Sequence, residues 1–124
     1  MPTPGAQNIS SLRPGGTAAD RRVVAAVSST TAAPAVRTDG FALRRPVVWM
    51  HLQVTGTDAE VFFRLWVWSA MSERWGSVWE GGVAVGDRTV PLELPGAQRV
   101  YLQVTSVTGT PVTASAWLGE VIPA

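Results

Sequence analysis

EVFFRLWVWS, residues 60–69, is the stretch whose reading decides the fold. Odd positions Val61, Phe63, Leu65 and Val67 form one apolar row. Even positions Phe62, Arg64, Trp66 and Trp68 form the other. In a strand these rows point to opposite faces. In a helix Phe62, Trp66 and Ser69 would share a face, but the run is short, aromatic and β-branched, which favours strand. A half-buried strand alternates apolar with polar; this one is greasy on both sides. One row can fill a core. The other needs a cover: the chain's own arm, a neighbouring subunit or a ligand.

The segments around it repeat the period of two. Over 46–54, Val48, Met50, Leu52 and Val54 share one face, with Val47, Trp49, His51 and Gln53 on the other. Over 98–107, Val100, Leu102 and Val104 point inward. Over 112–122, Val112, Ala114, Ala116 and Leu118 do the same. Turn signals separate these runs: Thr55–Asp58, Ala70–Glu73, Pro95–Gly96 and Thr108–Pro111. Gly81–Gly82 and Gly86–Asp87 read as breaks between two short strands. Seven or eight short strands without a convincing helix predict an all-β fold, an antiparallel β-sandwich of Greek-key or jelly-roll type.

Upstream, residues 1–20 hold Pro2, Pro4, Gly5, Pro14, Gly15 and Gly16 and few large apolar groups, too little to fold alone. Residues 21–28, RRVVAAVS, read as a strand; 28–36 as a loop or edge; Thr38–Gly40 as a turn. The expected organisation is an extended N-terminal arm over 1–40, carrying the strand at 21–28, and a sandwich domain over 41–124.

Only 15% of the 124 residues are charged, against about 25% in an average protein. A small monomer usually needs more, so either the exposed positions are Thr, Ser and Gln or surface is hidden in an assembly. All 10 basic residues are Arg, which suits interfaces and also follows from a GC-rich coding bias. Residues 1–45 carry Arg13, Arg21, Arg22, Arg37, Arg44 and Arg45 against two acids; the remainder carries seven acids against four Arg. A basic arm can therefore meet an acidic body, within or between subunits. The net charge of +1 gives no case for nucleic acid or an anionic membrane. No run approaches the roughly 18 apolar residues of a membrane span. The start, MPTPGAQNISSLRPGG, lacks the basic-then-apolar pattern of a secretory signal.

Catalytic chemistry has little to build on. His51 is the one histidine and there is no cysteine, which disfavours a zinc site and removes thiolate chemistry. The segment 81–86, GGVAVG, lacks the spacing of a phosphate loop. Asp58 and Glu60 read as solvated turn residues rather than calcium ligands. No catalytic, cofactor-binding or metal residue is expected.

The six Trp residues are the distinctive feature. Trp66 and Trp68 lie two apart on one strand face, about 7 Å along the strand, with Arg64 able to stack on Trp66 or pair with a neighbouring acid. Trp and Arg are enriched at protein interfaces. The candidate interface set is Arg13, Arg21, Arg22, Arg64, Trp66 and Trp68. The alternative is a carbohydrate-binding module whose platform would be Trp49, Trp66 and Trp68, since a pyranose face is apolar.

The segment FFRLWVWSAMSERWGSVWE at 62–80, followed by VPLELPGAQRVYLQVTSVTGT at 90–110, resembles small bacteriophage virion proteins. The resemblance implies a capsid decoration, minor capsid, head–tail or tail-associated subunit. Its partners would be copies of itself or other capsid or tail proteins, and its place the virion, assembled in the host cytoplasm. Such proteins lash subunits together with extended arms. No functional residue carries over by position. A glycan is the one small ligand the alternative reading admits.

Overall fold

The computed structural model describes residues 18–121, with side chains over 21–120. Eight strands follow in order: β1 (Ala18–Val27), β2 (Phe41–Ala42), β3 (Val47–Gly56), β4 (Glu60–Ser69), β5 (Arg74–Ala84), β6 (Gly86–Glu93), β7 (Ala97–Thr108) and β8 (Val112–Val121). They form two four-stranded sheets, ordered β1-β8-β3-β6 and β2-β7-β4-β5. Every pairing is antiparallel. The expected all-β sandwich is what the chain forms.

The strand order has a simple generator. β1 pairs with β8, β2 with β7, β3 with β6 and β4 with β5, as in one long hairpin turned between β4 and β5. The hairpin then rolls over, so that β8 also meets β3 and β7 also meets β4. Among the described strands, β4–β5 is the one consecutive pair that stays in a single sheet. β4 is therefore flanked on both sides for its whole length.

The core lies between the sheets and is supplied by the rows read from the sequence. Val48, Met50, Leu52 and Val54 of β3 and Val61, Phe63 and Leu65 of β4 are all 0% exposed. Val100, Leu102 and Val104 of β7 and Val112, Ala114, Ala116 and Leu118 of β8 complete it. Each large side chain of this kind stabilises the fold by about 1.5–3 kcal/mol relative to exposure. Val67, expected with the inward row, is half-buried and packs at the core's margin.

Two segments differ from the sequence reading. Gly81 and Gly82 do not break the chain; they lie inside β5. The reason is space for rings. A Cβ at Gly82 would sit 2.8 Å from the Phe62 ring on β4, and one at Gly81 would sit 2.6 Å from the Trp79 ring. β1 begins at Ala18 rather than 21 and is an edge strand of the first sheet, paired with β8 from Ala18↔Val121 to Val27↔Ala114. The chain between β1 and β2 is likewise tied to the second sheet, because Thr31 exchanges bonds with Val104: its N–H donates to the Val104 carbonyl at 2.9 Å and its Oγ1 accepts from the Val104 N–H at 2.9 Å. Residues 18–40, grouped with the arm on sequence, thus contribute to both sheets.

A bulge in β5 decides where its tryptophans go. Leu65 faces Trp79 and Trp66 faces Ser77, so Val78 is the extra residue and stands 49% exposed. Trp75 and Trp79, four apart, would share a face in a regular strand. The bulge sends Trp79 toward the core and leaves Trp75 on the outer face beside Trp68.

Candidate functional site

The outward row of β4 does not stand alone. Its cross-strand partners are Trp68↔Trp75 and Arg64↔Glu80 on β5, and Trp66↔Tyr101, Arg64↔Gln103 and Trp68↔Arg99 on β7. Trp68 meets Trp75 edge-on, with centroids 5.6 Å apart at 74°. Trp75 meets Tyr101 in the same way, at 6.3 Å and 63°. Such pairs add about 0.5–1.5 kcal/mol each beyond their buried area.

The polar tips of Arg64 and Trp66 both have partners, and so do those of the side chains beside them. Arg64 Nη2 lies 2.6 Å from Glu80 Oε2 and donates to it, and the Arg64 guanidinium lies 5.7 Å from the Trp66 ring centre. Trp66 Nε1 donates to Gln103 Oε1 at 2.9 Å, and Gln103 Nε2 donates to the Thr31 carbonyl at 3.2 Å. Tyr101 Oη donates to the Ala32 carbonyl at 2.7 Å, and Trp75 Nε1 donates to the Val36 carbonyl at 3.0 Å. Arg99 Nη2 donates to the Gly40 carbonyl at 2.6 Å. Half-buried donors need acceptors, and here the carbonyls of residues 31–40 supply them to Gln103, Tyr101, Trp75 and Arg99 Nη2, while the buried Arg99 Nε is left without one. That segment is laid across one end of the outer face.

The segment has its own brace. Asp39 Oδ2 accepts from the N–H of Ala35 at 2.7 Å and of Val36 at 2.9 Å. Those two bonds hold the Asp39 carboxyl below the usual carboxylate range. The segment returns at Gly40, which abuts the Trp75 ring and the Val100 carbonyl and has no room for a side chain. Beyond the strap, Phe62 on β4 is 40% exposed.

The first sheet has an outer face of different character. Trp49 and His51 of β3 lie there with Trp117 of β8. The His51 and Trp117 rings are 5.8 Å apart. The Arg22 guanidinium lies 5.5 Å from the Trp117 ring centre, and its Nη2 donates to Ser115 Oγ at 3.2 Å. His51 Nδ1 and Thr89 Oγ1 are 3.0 Å apart, and His51 Nε2 is 4.0 Å from Asp87.

The candidate residues therefore divide. Arg64, Trp66 and Trp68 are together on the second sheet. Trp49 and Arg22 are on the outer face of the first, so Trp49, Trp66 and Trp68 do not form one platform; the sandwich lies between them. Arg21 is at neither place. It stacks on Phe41, 4.9 Å from the ring centre, at the open side between β1 and β2. Arg13 lies outside the described residues. Trp75 and Tyr101 were not among the candidates, although the turn at 70–73 implies that Trp68 faces Trp75 across a hairpin. Among the described residues no three His, Cys, Asp or Glu side chains gather as a metal site, and no helix is long and apolar enough to cross a membrane.

No family model and no curated protein matches the chain. Among solved structures, the fold is similar to that of SPBc2 prophage-derived protein YomS, with 13% identity, a TM-score of 0.46, and 85% of this chain and 95% of that one covered.

Proposed function

We propose that this chain is a non-enzymatic structural subunit of a large protein assembly, a bacteriophage particle in the reading its residues favour. It would serve as a capsid decoration, minor capsid, head–tail or tail-associated protein, docking through the outer face of the second sheet. The observation that carries this reading is the outward row of β4. Phe62, Arg64, Trp66 and Trp68 keep part of their surface exposed while the last three are locked by stacking, an ion pair and hydrogen bonds. Rigid aromatic and Arg side chains lose little entropy on binding and dominate interface hot spots. The strand order supports the same reading. It is that of a jelly roll, an arrangement common to viral capsid and lectin domains, and a fold shared by both leaves the choice to the site.

Glycan binding is the second reading, and the face of the first sheet favours it. There Thr89, Asp87 and His51 offer hydroxyl-binding groups beside Trp117. The two readings separate in one experiment. The mass of the full chain is measured in solution, alone and with the products of neighbouring genes. A complex that weakens with Phe62→Asp and Trp68→Ala supports the subunit reading. A monomer whose Trp fluorescence responds to glycans, and loses that response in Trp117→Ala, supports the other.

A further inference from the structure

The two ends of the sandwich differ in charge. β1 begins and β8 finishes at one end, where Arg21 faces Leu118 in register and Glu120 faces Val48. A cavity of about 260 Å³ opens there between the sheets, lined by Arg21, Arg44 and Glu120 over a floor that includes Phe41, Val23 and Leu118. Arg45 is the next residue. Glu120 is occupied: its Oε1 accepts from the backbone N–H of Arg44 at 2.6 Å and of Arg45 at 2.7 Å. That clamp fixes the linker without using the guanidinium of Arg44. Arg21 is held against Phe41. Among the described residues, neither guanidinium has a carboxylate within 4.0 Å. At this end Arg21, Arg44 and Arg45 outnumber Asp20 and Glu120 by one, and nearby Arg74 and Arg99 offset Glu73 and Glu93, so the end stays basic.

The opposite end is acidic. Asp58 and Glu60 sit on the β3–β4 turn, both exposed, and Asp87 at the start of β6 faces Gln53 near the same end. Arg88 is the one cation beside them among the described residues, and it is turned onto the Trp79 ring and the Gly82 carbonyl. The acidic turn is rigid. Thr57 N–H donates to the Pro111 carbonyl at 3.0 Å, Ala59 is buried, and a Cβ at Gly109 would sit 2.7 Å from the Ala59 Cα. Asp58 adopts φ 50°, a left-handed conformation that Asp tolerates better than most residues. A pre-ordered acidic knob at one end and an arginine-lined cleft at the other are complementary.

We propose that copies of this chain join head to tail, with the Asp58–Glu60 turn of one copy seated in the Arg21–Arg44 cleft of the next. The proposal rests on the subunit reading above and specifies one of its partners, a second copy. The cleft has room for one acidic side chain flanked by two guanidinium groups, whereas a drug-sized ligand usually takes about 300 Å³ or more. A contact between unlike ends is heterologous, so the copies close into a ring or extend as a filament.

Sedimentation of the full chain tests this with two charge-altered variants. Arg21→Glu/Arg44→Glu makes both ends acidic. Asp58→Asn/Glu60→Arg makes both ends basic while keeping a residue at 58 that accepts positive φ. Thermal melts establish that each variant is folded. The wild type is expected to self-associate with rising concentration and to dissociate as salt screens the contact. Each variant alone should associate about tenfold or more weakly, and an equal mixture of the two should recover association. Recovery on mixing has no explanation in misfolding. A wild type that stays monomeric at every concentration, or folded variants whose mixture does not recover, overturns the head-to-tail contact. Either result leaves docking through the β4 face standing. Association that ignores both end variants but is lost in Phe62→Asp overturns the proposal in favour of that face.

Discussion

The two rows of β4 have similar side chains and opposite fates. Val61, Phe63 and Leu65 vanish between the sheets at 0% exposure and make only apolar contacts. Phe62, Arg64, Trp66 and Trp68, one residue out of phase, stay on the surface, where Arg64 pairs with Glu80, Trp66 donates to Gln103 and their neighbours Trp75 and Tyr101 donate to residues 31–40. Hydrophobicity alone does not tell these rows apart. The difference lies in which polar atoms accompany the apolar ones. The inward row has none, so it can be dehydrated without cost. The outward row carries a guanidinium and two indole N–H groups, which need acceptors that only a wet, partly covered face provides.

Substitutions along and beside the strand sharpen this contrast. The largest effect is expected from Phe63→Ala, which leaves a cavity in the core and should cost about 3–5 kcal/mol in chemical denaturation. A cost under about 1 kcal/mol would reverse the two faces. Next is Trp75→Ala on the outer face. It removes two edge-on aromatic contacts and the donor to the Val36 carbonyl, for about 2 kcal/mol. It should also expose residues 31–40 to proteolysis, which Phe63→Ala should do only through global unfolding. Trp66→Phe keeps an aromatic ring but removes the N–H to Gln103 together with part of the indole, and about 1–2 kcal/mol is expected.

The smallest effect is a pH dependence in the strap. The Asp39 carboxyl is held below its unfolded value, near 3.9, by the N–H groups of Ala35 and Val36. Its contribution is therefore fully present above the unfolded value and is lost as pH falls through the lower folded one. Acidification should change Trp75 fluorescence before the fold melts, and Asp39→Asn should remove that step.

Much of the fold was legible because alternation is a local signal. β4 runs over the ten residues that the sequence marks, and the inward rows of β3, β7 and β8 are those expected. Gly81 and Gly82 misled, since a glycine that breaks a strand and one that makes room for a ring look the same until Phe62 is placed across from it. The split of Trp75 from Trp79 depends on a single inserted residue, Val78, which leaves no mark in composition. Trp49 joined Trp66 and Trp68 as a platform candidate because aromatic type is visible in the sequence and sheet membership is not. The role of 31–40 as a strap was hidden for a similar reason. Its part in the fold is carried by carbonyl oxygens, which every residue has.

The claim that the outward row of β4 is a protein-docking face meets its most direct test in Phe62→Asp combined with Trp68→Ala. Melting temperature and mass in solution, alone and with the neighbouring gene products, are measured on the same preparation. Hot-spot truncation removes about 2 kcal/mol or more per residue, or roughly 30-fold in affinity. The expected result is a complex weakened at least that much in a protein that loses its Trp68–Trp75 contact but still melts cooperatively above the temperature of the binding measurement. A melt that collapses while association is unchanged would contradict it, and would assign the outer row, like the inner one, to the fold alone.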